Sequence, residues 1–318
     1  CGRSLQNRIA PLMVSGLPFD DLRNLLRTLP DVARPAATVA GTGGRIGAIT
    51  DWLASATGRA PRVTRPVVAL FAGTHGVVGD DKAPANLAVR AFVERCSAGR
   101  AGINEACAAA DLGLKVFDLA LDVPVADITR DAALDERGAA ATIAFGMEAI
   151  AGGADLLVLG GYGGEGGAIA AAAVLAALHG ETILGNADTD NRAHTAIDLH
   201  AGHLRDPLEA LRRVGGREIA ALVGAIVAAR TERVAVILAG EAALAAASVV
   251  ATLEPQAIVH CMVADRGSSP LADAAADKLG LKSILDIGLS GGEGAAGAIA
   301  AGLVKTATLV LAADAVGG

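Results

Sequence analysis

The chain has 318 residues, 53% of them hydrophobic, with a formal net charge of −7. That is enough apolar material for one large α/β domain, or a large and a small one, and an acidic balance with no basic stripe argues against nucleic acid as a partner. With only five Phe, one Trp and one Tyr, the core must be built from Ala, Val, Leu and Ile, while the 40 glycines suit tight turns where backbone approaches a ligand.

Cys1, Cys96, Cys107 and Cys261 show no C-x-x-C spacing and read as reduced thiols of a cytoplasmic protein. The chain opens at Cys1 without an initiator Met, so preceding residues are expected, and Arg3 and Arg8 are followed by too short an apolar stretch for a signal peptide. In chain order, Leu17 to Arg27 opens with Pro18, Asp20 and Asp21 at the positive end of a helix dipole and places Leu22, Leu25 and Leu26 on one face. A second helix is predicted from Arg45 to Ala56. Strands are predicted at Val67–Ala72, Lys115–Leu119, Asp155–Leu159, Val234–Leu238, Ile258–Val263 and Ser283–Ile287. Helical patterns lie at Ala91–Ala110, Ala168–Leu178, Ile219–Ala229 and Leu271–Leu279. The apolar run from Ala295 to Val316 is broken by Lys305 and Asp314 and is expected to form a buried helix pair, not a membrane span.

Apolar strands alternating with helices imply a doubly wound, mostly parallel, Rossmann-like sheet covered on both faces. Ligands then sit beyond the carboxyl ends of the strands. The segments to inspect are Thr74-His75-Gly76, Asp118, Gly160–Gly167, Glu241, Asp265-Arg266 and Ser290–Gly294.

Several of these segments carry a resemblance. Phe71-Ala-Gly-Thr-His-Gly-Val77, Asp111–Asp122, Ala144–Ile150, Asp206-Pro-Leu-Glu-Ala-Leu-Arg-Arg-Val-Gly-Gly-Arg-Glu-Ile-Ala-Ala221 and Leu285-Asp-Ile-Gly-Leu-Ser-Gly-Gly-Glu-Gly294 follow one another in the chain. In that order they are similar to motifs of the nicotinate-nucleotide–dimethylbenzimidazole phosphoribosyltransferases of cobalamin lower-ligand synthesis, over roughly residues 16 to 310. The resemblance implies transfer of phosphoribosyl from nicotinate mononucleotide to 5,6-dimethylbenzimidazole or a related base, without metal or cofactor. It also implies a homodimer. The domain plan it implies has N-terminal helices of a small helical domain in residues 1–60, an α/β large domain in 61–295, and a C-terminal segment, 296–318, returning to the small domain.

By the same resemblance Glu293 is the catalytic base, and a Gly-rich, water-poor pocket would raise its pKa toward neutrality. The phosphate site falls at Gly163, Gly164, Gly166, Gly167 and Arg266, and the acceptor pocket at His75, Tyr162 and Gly292, although His75 at a strand end could equally bond neighbouring backbone to shape its loop. Other positions depart from the family. The acceptor segment reads Gly79-Asp-Asp-Lys-Ala-Pro-Ala-Asn-Leu-Ala-Val-Arg90, without the family's Ser, aromatic and Gln. In the phosphate loop, Tyr162 replaces a glutamate and Gly167-Ala168-Ile169 replaces Asn-Thr-Thr. The Gly185–Arg192 loop has lost an arginine and two glycines, and Glu241 replaces an aromatic. Glu165 threatens the phosphate: two unit charges ~4 Å apart repel by about 4 kcal/mol at an effective dielectric of 20.

Two other readings stand beside this one. A catalytically impaired paralogue would bind a nucleotide or a partner protein. A dinucleotide enzyme would use Gly161-x-Gly163-x-x-Gly166, with Glu181 or Asp188 as ribose partner. His194, His200 and His203, with Asp188, Asp190 and Asp198, have metal-ligand composition but no standard zinc spacing, so a solvated or packed helix end is the simpler reading.

Overall fold

A computed structural model describes residues 18–31, 44–185, 191–289 and 294–317. Five strands form one parallel sheet: β1 (Pro66–Ala72), β2 (Gly113–Asp118), β3 (Leu156–Tyr162), β4 (Ala235–Ala239) and β5 (Cys261–Val263). Their order is β2-β1-β3-β4-β5, so the winding direction reverses between β1 and β3. Such a reversal opens a crevice at the carboxyl ends of the strands.

Alternation along each strand divides the core. Ala69, Phe71, Leu157, Leu159, Val236 and Leu238 face one layer; Val68, Leu70, Leu156, Val158, Ala235 and Ile237 face the other. The first layer holds α1 (Asp20–Arg27), α5 (Glu136–Gly146), α6 (Gly164–His179), α7 (Asn191–His200), α8 (Pro207–Val214), α9 (Arg217–Thr231), α10 (Glu241–Leu253) and α11 (Pro270–Lys278). The second holds α2 (Gly44–Thr57), α3 (Pro84–Ser97), α4 (Gly102–Ala110) and α12 (Ala295–Gly317). α1 thus packs on the opposite face of the sheet from α2 and α12. It is tied to the start of α8 by a 2.6 Å pair between Arg23 and Asp206, whose carboxylate also accepts the Leu208 N–H as an N-cap.

Small residues decide how closely helices within a layer approach. A Cβ on Gly146 would overlap the Ala221 carbonyl, and one on Gly224 would overlap the Ile143 carbonyl, so these two glycines let α5 and α9 cross almost backbone to backbone. α9, rich in alanine, is buried over nearly its whole length, and α10 over its middle, residues 243–250, which explains why they show no helical stripe.

Three expectations change. The stretch Ala91–Ala110 is two helices, because the chain turns at Gly99 with φ +69° and restarts at Gly102. The sixth strand is a single bridge, Ser283 to Val263. Ile284 and Leu285 donate to the carbonyls of Val263 and Ala264, but beyond them the Asp265 carboxylate takes the N–H groups of Ile287 and Leu289. A side chain has replaced the neighbouring strand as acceptor. The C-terminal helix pair is one continuous helix, α12. By length and composition Ala295–Ala313 could cross a membrane, yet half of that apolar window is buried against the rest of the chain.

Candidate functional site

Beyond the carboxyl ends of β3, β4 and β5 lies a cavity of about 370 Å³, within the usual range for a small-molecule site. Gly161, Tyr162 and Gly163 wall it from β3, and Gly164, Gly167 and Ala168 from the first turn of α6. Glu241 opens α10 on a second side, and Asp265, Ser269, Leu289 and Ala296 complete the rim. Glu241 accepts a hydrogen bond from the Ser269 hydroxyl at 2.5 Å. Asp265 accepts the Ile287 N–H at 2.9 Å and that of Leu289, clasping the segment that leads away from β5.

The β3–α6 turn has the chemistry of an anion seat. Gly164 holds φ +56°, a left-handed conformation that favours glycine. The Gly167 N–H closes on the Gly163 carbonyl at 2.9 Å. The first amides of α6 therefore have no partner within the helix, and they lie at its positive end.

Behind this turn His75 and Glu218 meet at 2.8 Å, Nε2 to Oε1, with both residues fully buried. His75 follows β1, and its backbone exchanges hydrogen bonds with the buried Asn86 side chain of α3 at 3.0 Å each way. Glu218 stands in the first turn of α9, where a carboxylate complements the dipole. Burial alone would raise its pKa. The charge and hydrogen bond of His75, its own backbone N–H and the Arg217 charge outweigh that and hold the carboxyl below the usual range.

A family model described as phosphoribosyltransferase matches residues 34–315. The chain belongs to that family. The nicotinate-nucleotide–dimethylbenzimidazole phosphoribosyltransferase of Rhizobium rhizogenes strain K84 is 48% identical over 93% of this chain and 94% of its own length. The enzyme of the same name from Rhizobium meliloti strain 1021 is 47% identical over the same shares. Among solved structures, the enzyme of that name from Thermus thermophilus superposes with a TM-score of 0.75 at 26% identity, covering 92% of this chain and 95% of that one.

In this phosphoribosyltransferase-family fold, the glycines expected to hold phosphate come together: Gly163, Gly164 and Gly167 line the cavity, and Gly166 packs against the His75 ring beneath it. Tyr162 is on the wall, its ring 4.3 Å from that of Phe92. His75 does not line the cavity; it lies under the floor. Arg266 is engaged elsewhere, 2.6 Å from Asp277 and within reach of the Leu281 carbonyl. Glu293 and Gly292 lie outside the described residues, but Leu289 before them and Ala296 after them both line the cavity, and Gly294 packs on Leu70 at the end of β1.

Several charged and histidine residues singled out in the sequence are engaged away from the cavity. Glu165 turns outward to a 2.5 Å pair with Arg192 and leaves the cavity wall. Asp80 caps the Lys82 N–H, and Asp81 lies 3.7 Å from Arg90. His194 pairs with Glu181 at 2.6 Å, which engages one proposed ribose ligand, while His200 is buried against the Ile128 carbonyl. Sequence reasoning marked Asp265 for inspection as a strand-end residue but missed Glu218 and Asn86 as site-shaping groups. The signals for Glu218 were its place in the Asp206–Ala221 motif and the pair Gly215-Gly216 shortly before it.

Proposed function

We propose that this chain transfers phosphoribosyl from nicotinate mononucleotide to 5,6-dimethylbenzimidazole or a related base, as its relatives' names describe. The observation that carries the reading is the cavity whose wall is a glycine-rich helix start and whose rim is closed by Leu289 and Ala296, the flanks of Glu293. The amides of Gly164, Gly166 and their neighbours would receive the 5′-phosphate without a cationic side chain. The apolar surfaces of Ala168, Leu244 and Leu289 would receive the flat rings.

In this reading Glu293 is the base. As the acceptor nitrogen attacks C1′ of the ribose, nicotinate leaves, and the carboxylate takes the proton from the acceptor's other ring nitrogen. The protein's further task is to hold the two rings on opposite faces of C1′. The same reading takes the chain as a cytoplasmic homodimer. Ile299, Leu303 and Val310 stand exposed on α12 at spacings that share a helix face, and light scattering should return twice the chain mass, with a monomeric mass counting against it.

Purified protein is mixed with nicotinate mononucleotide and dimethylbenzimidazole, and α-ribazole 5′-phosphate is sought by chromatography. Product is expected, with a rate loss of about 100- to 10,000-fold in Glu293→Gln. Absence of product in the wild type, or full activity in the variant, refutes the reading or the role of Glu293 respectively.

A further inference from the structure

The His75–Glu218 pair is enclosed by glycines on which an added Cβ would press against it. A Cβ on Gly163 would stand 2.7 Å from His75 Nε2 and 3.0 Å from Glu218 Oε1. One on Gly166 would stand 2.5 Å from His75 Cβ, and one on Gly167 would stand 3.3 Å from Glu218 Oε1. Cβ atoms on Gly73 and Gly216 would collide with Glu218 Oε2. The pair therefore touches the end of β1, the β3–α6 turn and the start of α9 at once, three segments remote in sequence.

Burying an ionisable pair is expensive, and an apolar pair of similar volume is often as stable or better. Here the cost is compounded, because His75 Nδ1 and Glu218 Oε2 are buried with no hydrogen-bond partner among the described residues. What a hydrogen-bonded pair provides and an apolar one does not is direction. The bond at 2.8 Å fixes the plane of the carboxylate against Gly216 and the edge of the imidazole against Gly163 and Gly166. Packing against those glycine backbones then fixes where the first amides of α6 point. Neither side chain lines the cavity; both stand behind its wall.

We propose that His75 and Glu218 are positioning residues: a buried brace that sets the Gly163–Gly167 turn so that its amides converge on the phosphate of the nucleotide. The ligand class rests on the function proposed above, whereas the bracing of the turn does not. Removing the carboxylate leaves a void behind the turn and frees its backbone. Replacing it by the amide keeps an oxygen to accept the imidazole N–H.

The test compares wild type, Glu218→Gln and Glu218→Ala after thermal melts confirm that each is folded. In Glu218→Ala, amide hydrogen exchange should quicken by about tenfold or more within residues 161–167 while the rest of β3 and α6 stays protected. KM for nicotinate mononucleotide should rise by roughly tenfold with kcat within about threefold, the signature of lost ground-state binding. Glu218→Gln should recover both readouts. Exchange unchanged in the turn, exchange raised across the whole chain with KM unchanged, or a collapse of kcat at constant KM would each overturn the brace. If Glu218→Ala does not fold, His75→Ala opens the pair from the other side and takes its place. Failure of both to fold, with Glu218→Gln native in every readout, would assign the pair to folding and also overturn the proposal. A wild type that turns over no substrate would defeat the function reading, and the exchange measurement, which needs no substrate, would still decide the brace.

Discussion

Two walls of one cavity are built by opposite means. The β3–α6 turn is held from behind, by glycines packed on a buried His–Glu pair. The segment after β5 is held from the side, by Asp265 clasping the backbone of Ile287 and Leu289 and by Arg266 on the exposed Asp277. The first wall has no spare volume, so its position is set by sterics. The second is set by a few hydrogen bonds near solvent, and can yield without disturbing the core. A seat for phosphate needs the first kind of support; a loop that brings a base to a reacting ring can use the second.

That contrast can be broken most forcefully at Gly163. Its φ of −118° would accept alanine, but the Cβ would press within 2.6 Å of Gly167 Cα. Overpacking of this sort costs about 1–3 kcal/mol, so Gly163→Ala should melt several degrees lower and lose most nucleotide affinity in calorimetry. An unchanged melt and affinity would show that the turn has slack. A milder effect is expected at Asp265. Asp265→Asn keeps one acceptor and loses the other, at a cost of roughly 1–3 kcal/mol local to the segment. It should lower kcat about tenfold with little change in KM for the mononucleotide or in the melt. A rise in KM with kcat intact would mean that this wall, too, seats the nucleotide.

The same contrast explains what was legible in the sequence. Five of the strands and the β3–α6 turn were readable because apolar runs and glycines act locally. Ser283–Ile287 has the composition of a strand, but its outcome was decided by a carboxylate some twenty residues earlier, at Asp265. The helix break at Gly99 lay inside an apolar pattern that runs across it unchanged. Glu218 stood inside the Asp206–Ala221 motif, just ahead of the predicted helix, with nothing to single it out; its partner, 143 residues away, is supplied by the fold alone. Conversely, Glu165 looked like a charge aimed at the phosphate and proved to be engaged by Arg192 on the surface. Charge sign was readable from sequence, and side-chain direction was not.

The central claim is that a nucleotide phosphate sits on the first amides of α6. Site-resolved hydrogen exchange with saturating nicotinate mononucleotide tests it most directly. The account predicts added protection at the amides of Gly164, Glu165 and Gly166 that inorganic phosphate partly reproduces. Protection confined to other strand ends, with these three amides exchanging as in the free protein, would contradict it.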